Sequence, residues 1–395
     1  MNFFTTFVSL VAIVAIFFVF RTLRDRRRRR GLPYPPGPKR LPGAKTYGDV
    51  ISLRVPGQVI VILNCPKPAR DLLDKRSATY SARPVIPFYD LADWGWLVPT
   101  ARYDDAWRAR RKIIDHGLRP SASLQYQPLQ RTKALDLVRN LASSPERFRE
   151  HLELCQGAII MPSVYGYDVK ERGDRYIDVA SEISKLLWRT ILPGALLVND
   201  LPMMGYLPEW LPGMAFESLA RHGRKLGEDM RYPPFQFVKN GMRSGTARPS
   251  MTLTNLQEVD DIDSPESENA QRLIAEALGS LYTAGADTTV SAMATFFLML
   301  VQYPDIQKKA QAELDAITGR TRLPDFSDRA RLPYTEAICK ELIRCRVVTP
   351  LGAPQDMTLF IVVASVLSVF TVGQAKDALG NEIQVDCVST GALVR

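Results

Sequence analysis

Histidine is scarce in this chain: His116, His151 and His222 are the only three in 395 residues, and their spacing offers no zinc pattern. Cysteine is nearly as scarce. Cys65, Cys155, Cys339, Cys345 and Cys387 show no paired spacing, which argues against a disulfide-stapled fold and fits free thiols in a reducing cytoplasm. The body of the chain also lacks net charge. Residues 21–45 carry ten positive side chains against Asp25, which accounts for the whole formal charge of +9 and leaves no basic surface for nucleic acid. No repeat or disordered linker divides residues 46–395, so one large domain is expected there.

What is present begins at the front. Residues 3–20 hold no charged side chain, and Arg21, Arg24 and the run Arg26 to Arg30 follow at once. About 18 apolar residues are enough to span a bilayer. Charge placed behind the apolar core, and bulky Phe17, Phe18 and Phe20 at its end, favour an uncleaved anchor over a cleavable leader. Residues 1–20 are therefore expected to form a single transmembrane helix, with the body cytoplasmic by the positive-inside rule. Residues 21–45 are expected to form a basic, proline-rich hinge touching anionic lipid.

Residues 50–55 and 58–63 alternate or run apolar around Pro56-Gly57, which predicts a hairpin, and residues 66–75 predict a short helix. From Trp107 onward helical patterns dominate. Proline-rich connectors are predicted at 192–212 and 232–249, and an acidic surface loop at 260–268. A long apolar helix is expected over 271–302, ended by Pro304, and the fold class is mainly α with a small β region. Glu276 and Asp287 within that helix argue against a second membrane span.

The long helix contains Ala284-Gly285-Ala286-Asp287-Thr288-Thr289. Asp and Thr disfavour helix interiors, and glycine there costs on the order of 1 kcal/mol. Two explanations are open: a core helix with a glycine kink and helix-satisfied threonines, or a polar break placed for chemistry. A second constellation, Glu341-Leu342-Ile343-Arg344, lies on a helix predicted over 334–346 and sets opposite charges at i and i+3. Such pairs decorate many exposed helices. Their order is more specific: Leu323-Pro324 and Leu332-Pro333 separate the two features, and Thr349-Pro350 comes after them.

In that order the chain resembles the cytochrome P450 superfamily, the membrane-bound haem-thiolate monooxygenases, over most of its length. Pro35-Pro36-Gly37-Pro38 behind the anchor looks like the family's microsomal N-terminus, and Trp107-x-x-x-Arg111, with His116 close by, is similar to its haem-propionate-binding helix. Residues 284–289 resemble its oxygen-activation motif, Glu341-x-x-Arg344 its structural pair, and Tyr206-Leu207-Pro208-Glu209-Trp210 the wording of fungal members. The resemblance implies a P450-like fold, haem as cofactor, and a lipophilic small-molecule substrate. It also implies NADPH-cytochrome P450 reductase and membrane lipid as partners, on the endoplasmic reticulum membrane. Carried over residue by residue, Asp287 and Thr288 are the proton-delivering catalytic residues, and Trp107, Arg111, His116 and Gly285 are cofactor contacts. Glu341 and Arg344 are the structural pair. Residues 84–98 and 192–216 are candidate pocket lining, although helix packing explains their apolar content equally. Arg108, Arg110 and Lys112 offer a basic face to an acidic reductase.

The family's haem loop, Phe-x-x-Gly-x-Arg-x-Cys-x-Gly, has no match after Glu341-x-x-Arg344. The only later cysteine, Cys387, sits in Ile383-Gln384-Val385-Asp386-Cys387-Val388 without the glycines or flanking arginine that a ligating thiolate needs, so no metal ligand is identifiable. Residues 357–370 nevertheless read as an apolar helix and 376–383 as a turn into a strand, with Thr390-Gly391 at a tip. This is similar to the family's helix after the haem cysteine and its closing hairpin. An internal deletion joining Pro354 to Gln355 is therefore expected, giving a P450-like fold incomplete near its C-terminus; an unrelated readthrough tail is the alternative. The chain would then be a non-catalytic fragment or pseudoenzyme without the axial cysteine, and Glu341–Arg344 a buried pair lacking its third member.

Overall fold

The computed structural model describes residues 48–55, 58–191, 194–211, 213–345, 357–375 and 382–383. The expected anchor and hinge, the 354/355 junction, Cys387 and Thr390-Gly391 lie outside the described residues. The chain divides into two compact units, residues 1–82 and 83–395.

In the first unit β1 (Val50–Val55) pairs antiparallel with β2 (Gln58–Leu63), Val50 opposite Leu63 and Val55 opposite Gln58. This is the predicted hairpin. The short helix predicted after it is a composite: α1 (Pro66–Ala69) passes directly into a π-helical turn at Arg70–Asp74, and α2 (Ser77–Tyr80) follows. Pro66 opens α1, where its fixed φ and missing N–H cost nothing.

The second unit is helical. Its main elements are α3 (Pro87–Leu91), α4 (Asp105–Leu118), α5 (Gln127–Ser143), α6 (Phe148–Tyr165) and α7 (Arg175–Ile191). Then come α8 (Ala215–Ser244), α9 (Met251–Gln257), α10 (Glu268–Gln302), α11 (Pro304–Thr318), α12 (Pro333–Cys345) and α13 (Met357–Val369). Helix α10 has 35 residues, roughly 52 Å at the usual rise, and packs on α4, α6, α7, α8, α9, α12 and α13. By length and composition it could cross a bilayer, but 50% of its most apolar window is buried within the fold. It is the central helix of this unit.

One connector was predicted where none exists. Instead of breaking at 232–249, α8 runs to Ser244 through Pro233 and Pro234. An interior proline costs about 3 kcal/mol in an isolated helix. Here Phe216, Ala220, Gly223, Leu226, Met230, Pro234 and Val238 are buried at three- and four-residue steps that run through the prolines. Burial of that stripe outweighs the break. The helix ends only at Gly245, whose φ of +70° is the left-handed cap that glycine supplies most easily.

The tail belongs to the core. In α13, Phe360, Ile361, Val362, Val363 and Ala364 are all 0% exposed, enclosed by α5, α10, α11 and α12. A helix apolar on every face needs such neighbours on every side. Beyond it, buried Gln307 of α11 donates to the Val372 carbonyl (3.1 Å) and accepts from the Val372 N–H (2.8 Å). Of the turn predicted at 376–383, the described part is one backbone bond, from the Ile383 N–H to the Ala375 carbonyl (2.7 Å).

Candidate active site

Asp104 caps α4, its carboxylate accepting from the Trp107 N–H at 2.7 Å. That fixes Trp107 in the first turn. Its Nε1–H donates to the Val98 carbonyl (3.0 Å), and the Val98 N–H donates to Ser280 Oγ of α10 (2.9 Å). Trp107 is thereby tied to the central helix about 12 Å along its axis from Thr288. Arg111, one turn on, is exposed and lies 5.9 Å over the Trp107 ring. His116 is on the opposite side of α4, about two and a half turns away, against Arg119 at 3.3 Å. The structure thus brings Arg111 to Trp107 but not His116.

Of the basic residues expected to face a reductase, Arg108 and Lys112 are exposed and Arg110 is not. Arg110 is 7% exposed and donates to Glu276 (2.8 Å) and to the Gly95 carbonyl (3.3 Å). Glu276 also accepts from Arg272 at 2.9 Å. The reason is local. A carboxylate inside an apolar helix needs a charged donor, and Arg110 lies where α4 meets α10.

Asp287 accepts a hydrogen bond from Trp188 Nε1 at 2.8 Å. A small, partly open recess of about 20 Å³, lined by Glu153, Gly157, Ser181, Tyr282, Ala286 and Asp287 among others, adjoins it. That is room for one water. Burial pushes the Asp287 carboxyl above the usual range, while the Trp188 bond and the charges of Arg149 and Lys185 work the other way. The native state then binds a proton more tightly than the unfolded chain does, so this group lowers stability as pH rises through its folded value. Asp287→Asn is expected to raise the urea midpoint at neutral pH and to leave it unchanged in acid, below the unfolded carboxyl range. An equal shift at both pH values would refute the elevated pKa.

Thr288 is buried, and its hydroxyl donates to the Ala284 carbonyl at 2.8 Å. The helix-satisfied reading therefore describes its local bond. Gly285 turns toward α6: its carbonyl accepts from Gln156 Nε2 (3.0 Å), and an added Cβ would meet Ile160 Cδ1 at 3.1 Å. Glycine here permits close approach of two helices.

Glu341 and Arg344 pair at 2.5 Å, with side chains 52% and 71% exposed. The expected burial of this pair is corrected. The buried stripe of α12 is Thr335, Ile338, Cys339 and Leu342, and the pair falls off it. Arg344 and Cys345 hold the Glu341 carboxyl down at about 2.

Residues 84–98 divide between two roles. Phe88, Trp94 and Trp96 are core residues, and the Trp94 Nε1–H donates to the Gly223 carbonyl at 2.8 Å. Pro84, Val85, Ile86, Tyr89 and Trp94, with Arg102, also line a cleft of about 310 Å³, the small end of ligand-pocket size. In the 192–216 segment, Tyr206 and Trp210 are 91% and 80% exposed.

The haem implied by the resemblance can be tested against the donors. Arg111 beside Trp107 suits a propionate. The iron side does not fit among the described thiols of the helical unit. Cys155 is buried, its thiol pushed up to about 12. Cys339 is buried within an apolar cluster. Cys345 is exposed beside Arg344, but its Sγ donates to Glu341 at 2.9 Å and that carboxylate pushes the thiol up. None offers the thiolate setting that iron requires.

Trp188, Gln156, Glu153 and Ser280 carry no signal in the sequence, because each meets its partner only through helix packing. Glu276 is visible there as a charge in an apolar run, but its partner is not.

Comparison with known proteins places these elements. The cytochrome P450 family matches residues 43–364, from before β1 to within α13. The chain is 36% identical over 349 residues to cytochrome P450 monooxygenase COX2 of Coprinopsis cinerea, covering 83% of this chain and 66% of that protein. It is 37% identical over 309 residues to a cytochrome P450 monooxygenase of Armillaria gallica, covering 78% and 60% respectively. It is also 36% identical over 315 residues to cytochrome P450 monooxygenase claR of Ampulloclitocybe clavipes, covering 79% and 58%. The chain thus spans about 60–66% of the length of the first two relatives. A central helix carrying Asp287-Thr288, the Trp107–Arg111 helix and a family match across most of the residues lead to one assignment: the chain belongs to the cytochrome P450 family.

Proposed function

We propose that the protein serves the oxidation of a lipophilic small molecule by dioxygen, using haem and electrons from a reductase on the endoplasmic reticulum membrane. The observation that carries this reading is Asp287: a half-buried carboxyl on the central helix, next to Thr288, beside space for one water. Such a group can take up and return protons beside a reacting centre. The names of the fungal relatives, all monooxygenases, support the same activity. Arg111 and Trp107 would bind carboxylates of the cofactor.

The activity requires a cysteine loop, and we place its omission at the Pro354–Gln355 junction. Burial of α13 directly after that junction supports a tail that belongs to the fold. The second reading, a non-catalytic fragment, is favoured by the thiols: no described cysteine of the helical unit has a ligand setting. Splicing the corresponding segment of the Coprinopsis relative between Pro354 and Gln355 separates the two. In membranes with reductase and NADPH, the spliced protein is expected to oxidise members of a lipophilic substrate panel, and the chain as it stands none. A spliced protein that folds and binds haem yet never forms oxidised product would overturn the monooxygenase reading.

A further inference from the structure

Asp287 is held by a partner that belongs to no motif. Trp188 lies on α7, 99 residues away in sequence, and its indole N–H donates to Oδ2 at 2.8 Å. An indole is neutral and can only donate. An arginine or lysine in direct contact would favour the ionised carboxylate by one to several pH units, roughly the usual effect of an adjacent cation. A neutral donor instead orients one oxygen and leaves the carboxyl able to gain and lose a proton. The recess of about 20 Å³ beside it lies among residues of α6, α7 and α10, and includes Glu153, Ser181 and Tyr282. Glu153 reaches outward: its side chain is 32% exposed and meets Arg149 at 3.3 Å.

We propose that Trp188 is the positioning residue that aims Asp287 at a water in this small recess, and that Glu153 is the surface carboxyl through which this water exchanges protons with solvent. The inference rests on the proton-delivery role of Asp287 and deepens it. The charged and titratable groups around Asp287 are Arg149 and Glu153 on α6, Lys185 on α7, and Tyr282 on α10 itself. Burial of the carboxyl acts against Arg149, Lys185 and the indole bond, so its proton is held more firmly than on an exposed aspartate.

The test reads protons directly and needs no haem. In the full chain in detergent micelles, with nitrogen-15 in the indoles, the Trp188 cross-peak is assigned by its loss in Trp188→Phe. Its shift is expected to follow the Asp287 titration and to stop titrating in Asp287→Asn. Trp188→Phe should tighten proton binding at Asp287 on the order of tenfold, read from the side-chain carboxyl carbon-13 shift, because a hydrogen bond to the charged form is lost. Glu153→Gln should slow solvent exchange of the Trp188 indole proton several-fold while leaving its shift in place. A Trp188 cross-peak indifferent to pH while Asp287 titrates, or an unchanged Asp287 affinity in Trp188→Phe, overturns the positioning role. Unchanged indole exchange in Glu153→Gln overturns the inlet. These readouts stand even if the spliced protein proves unable to oxidise substrate, and a failed oxidation assay leaves them unaffected.

Discussion

Purified full-length chain, supplied with haem, reduced and exposed to carbon monoxide, is expected to show no thiolate-type Soret band. The effect is all-or-none because the band reports one bond, from cysteine sulfur to iron. The described thiols of the helical unit are disqualified by their surroundings: Cys155 by burial, Cys339 by its apolar cluster and Cys345 by Glu341. Replacing Cys155 or Cys345 by serine should therefore leave the spectrum of the chain unchanged. Splicing a cysteine loop between Pro354 and Gln355 should create the band, and mutating the inserted cysteine should abolish it. A thiolate band from the unspliced chain would overturn the proposed omission. Its loss in Cys387→Ser would then identify the ligand.

The second large effect concerns stability. Arg110→Ala is expected to cost about 3 kcal/mol, the lower end for removing one member of a buried ion pair. The Arg110 and Glu276 side chains are 9% and 6% exposed, so solvent screens little of the loss. Removing Arg110 leaves Glu276 buried with Arg272 alone, across the contact of α4 with α10. Arg272 is 47% exposed and compensates only in part. Urea denaturation of the full chain would read this as a lowered midpoint with unchanged slope. The double replacement Arg110→Met and Glu276→Met should recover most of the loss, since no charge is left unpaired. A drop below about 1 kcal/mol for Arg110→Ala would mean that water reaches Glu276 when Arg110 is removed.

Hydrophobic pattern and capping made much of the fold legible. The hairpin around Pro56-Gly57 has the predicted strands, and the long helix begins three residues before its predicted start and ends at Gln302 as predicted. Apolar residues 357–370 announced α13. These elements could be read because local periodicity and the absence of proline decide them. The connector at 232–249 misled because proline's local cost is visible in sequence, whereas the buried stripe that outweighs it depends on α7 and α10 lying alongside α8.

The candidate site divides in the same way. Gly285, Asp287 and Thr288 were conspicuous because a polar break in an apolar helix needs a reason beyond helix stability. Trp107 and Arg111 came with a spacing that puts them on one side of α4. Arg110 carries the same charge as Arg108, and its inward turn depends on a carboxylate on a helix 166 residues away. Glu341 and Arg344 were legible as a pair, but their exposure depends on which face of α12 the rest of the fold covers.

By itself, then, the sequence determined the family, the mainly helical body and the chemistry available at residues 284–289, because motif, period and residue type are local properties. The tertiary structure decided which groups those residues meet. It set Trp188 against Asp287, Glu276 against Arg110, and α6 against Gly285, since such contacts arise only when distant helices pack and exclude water.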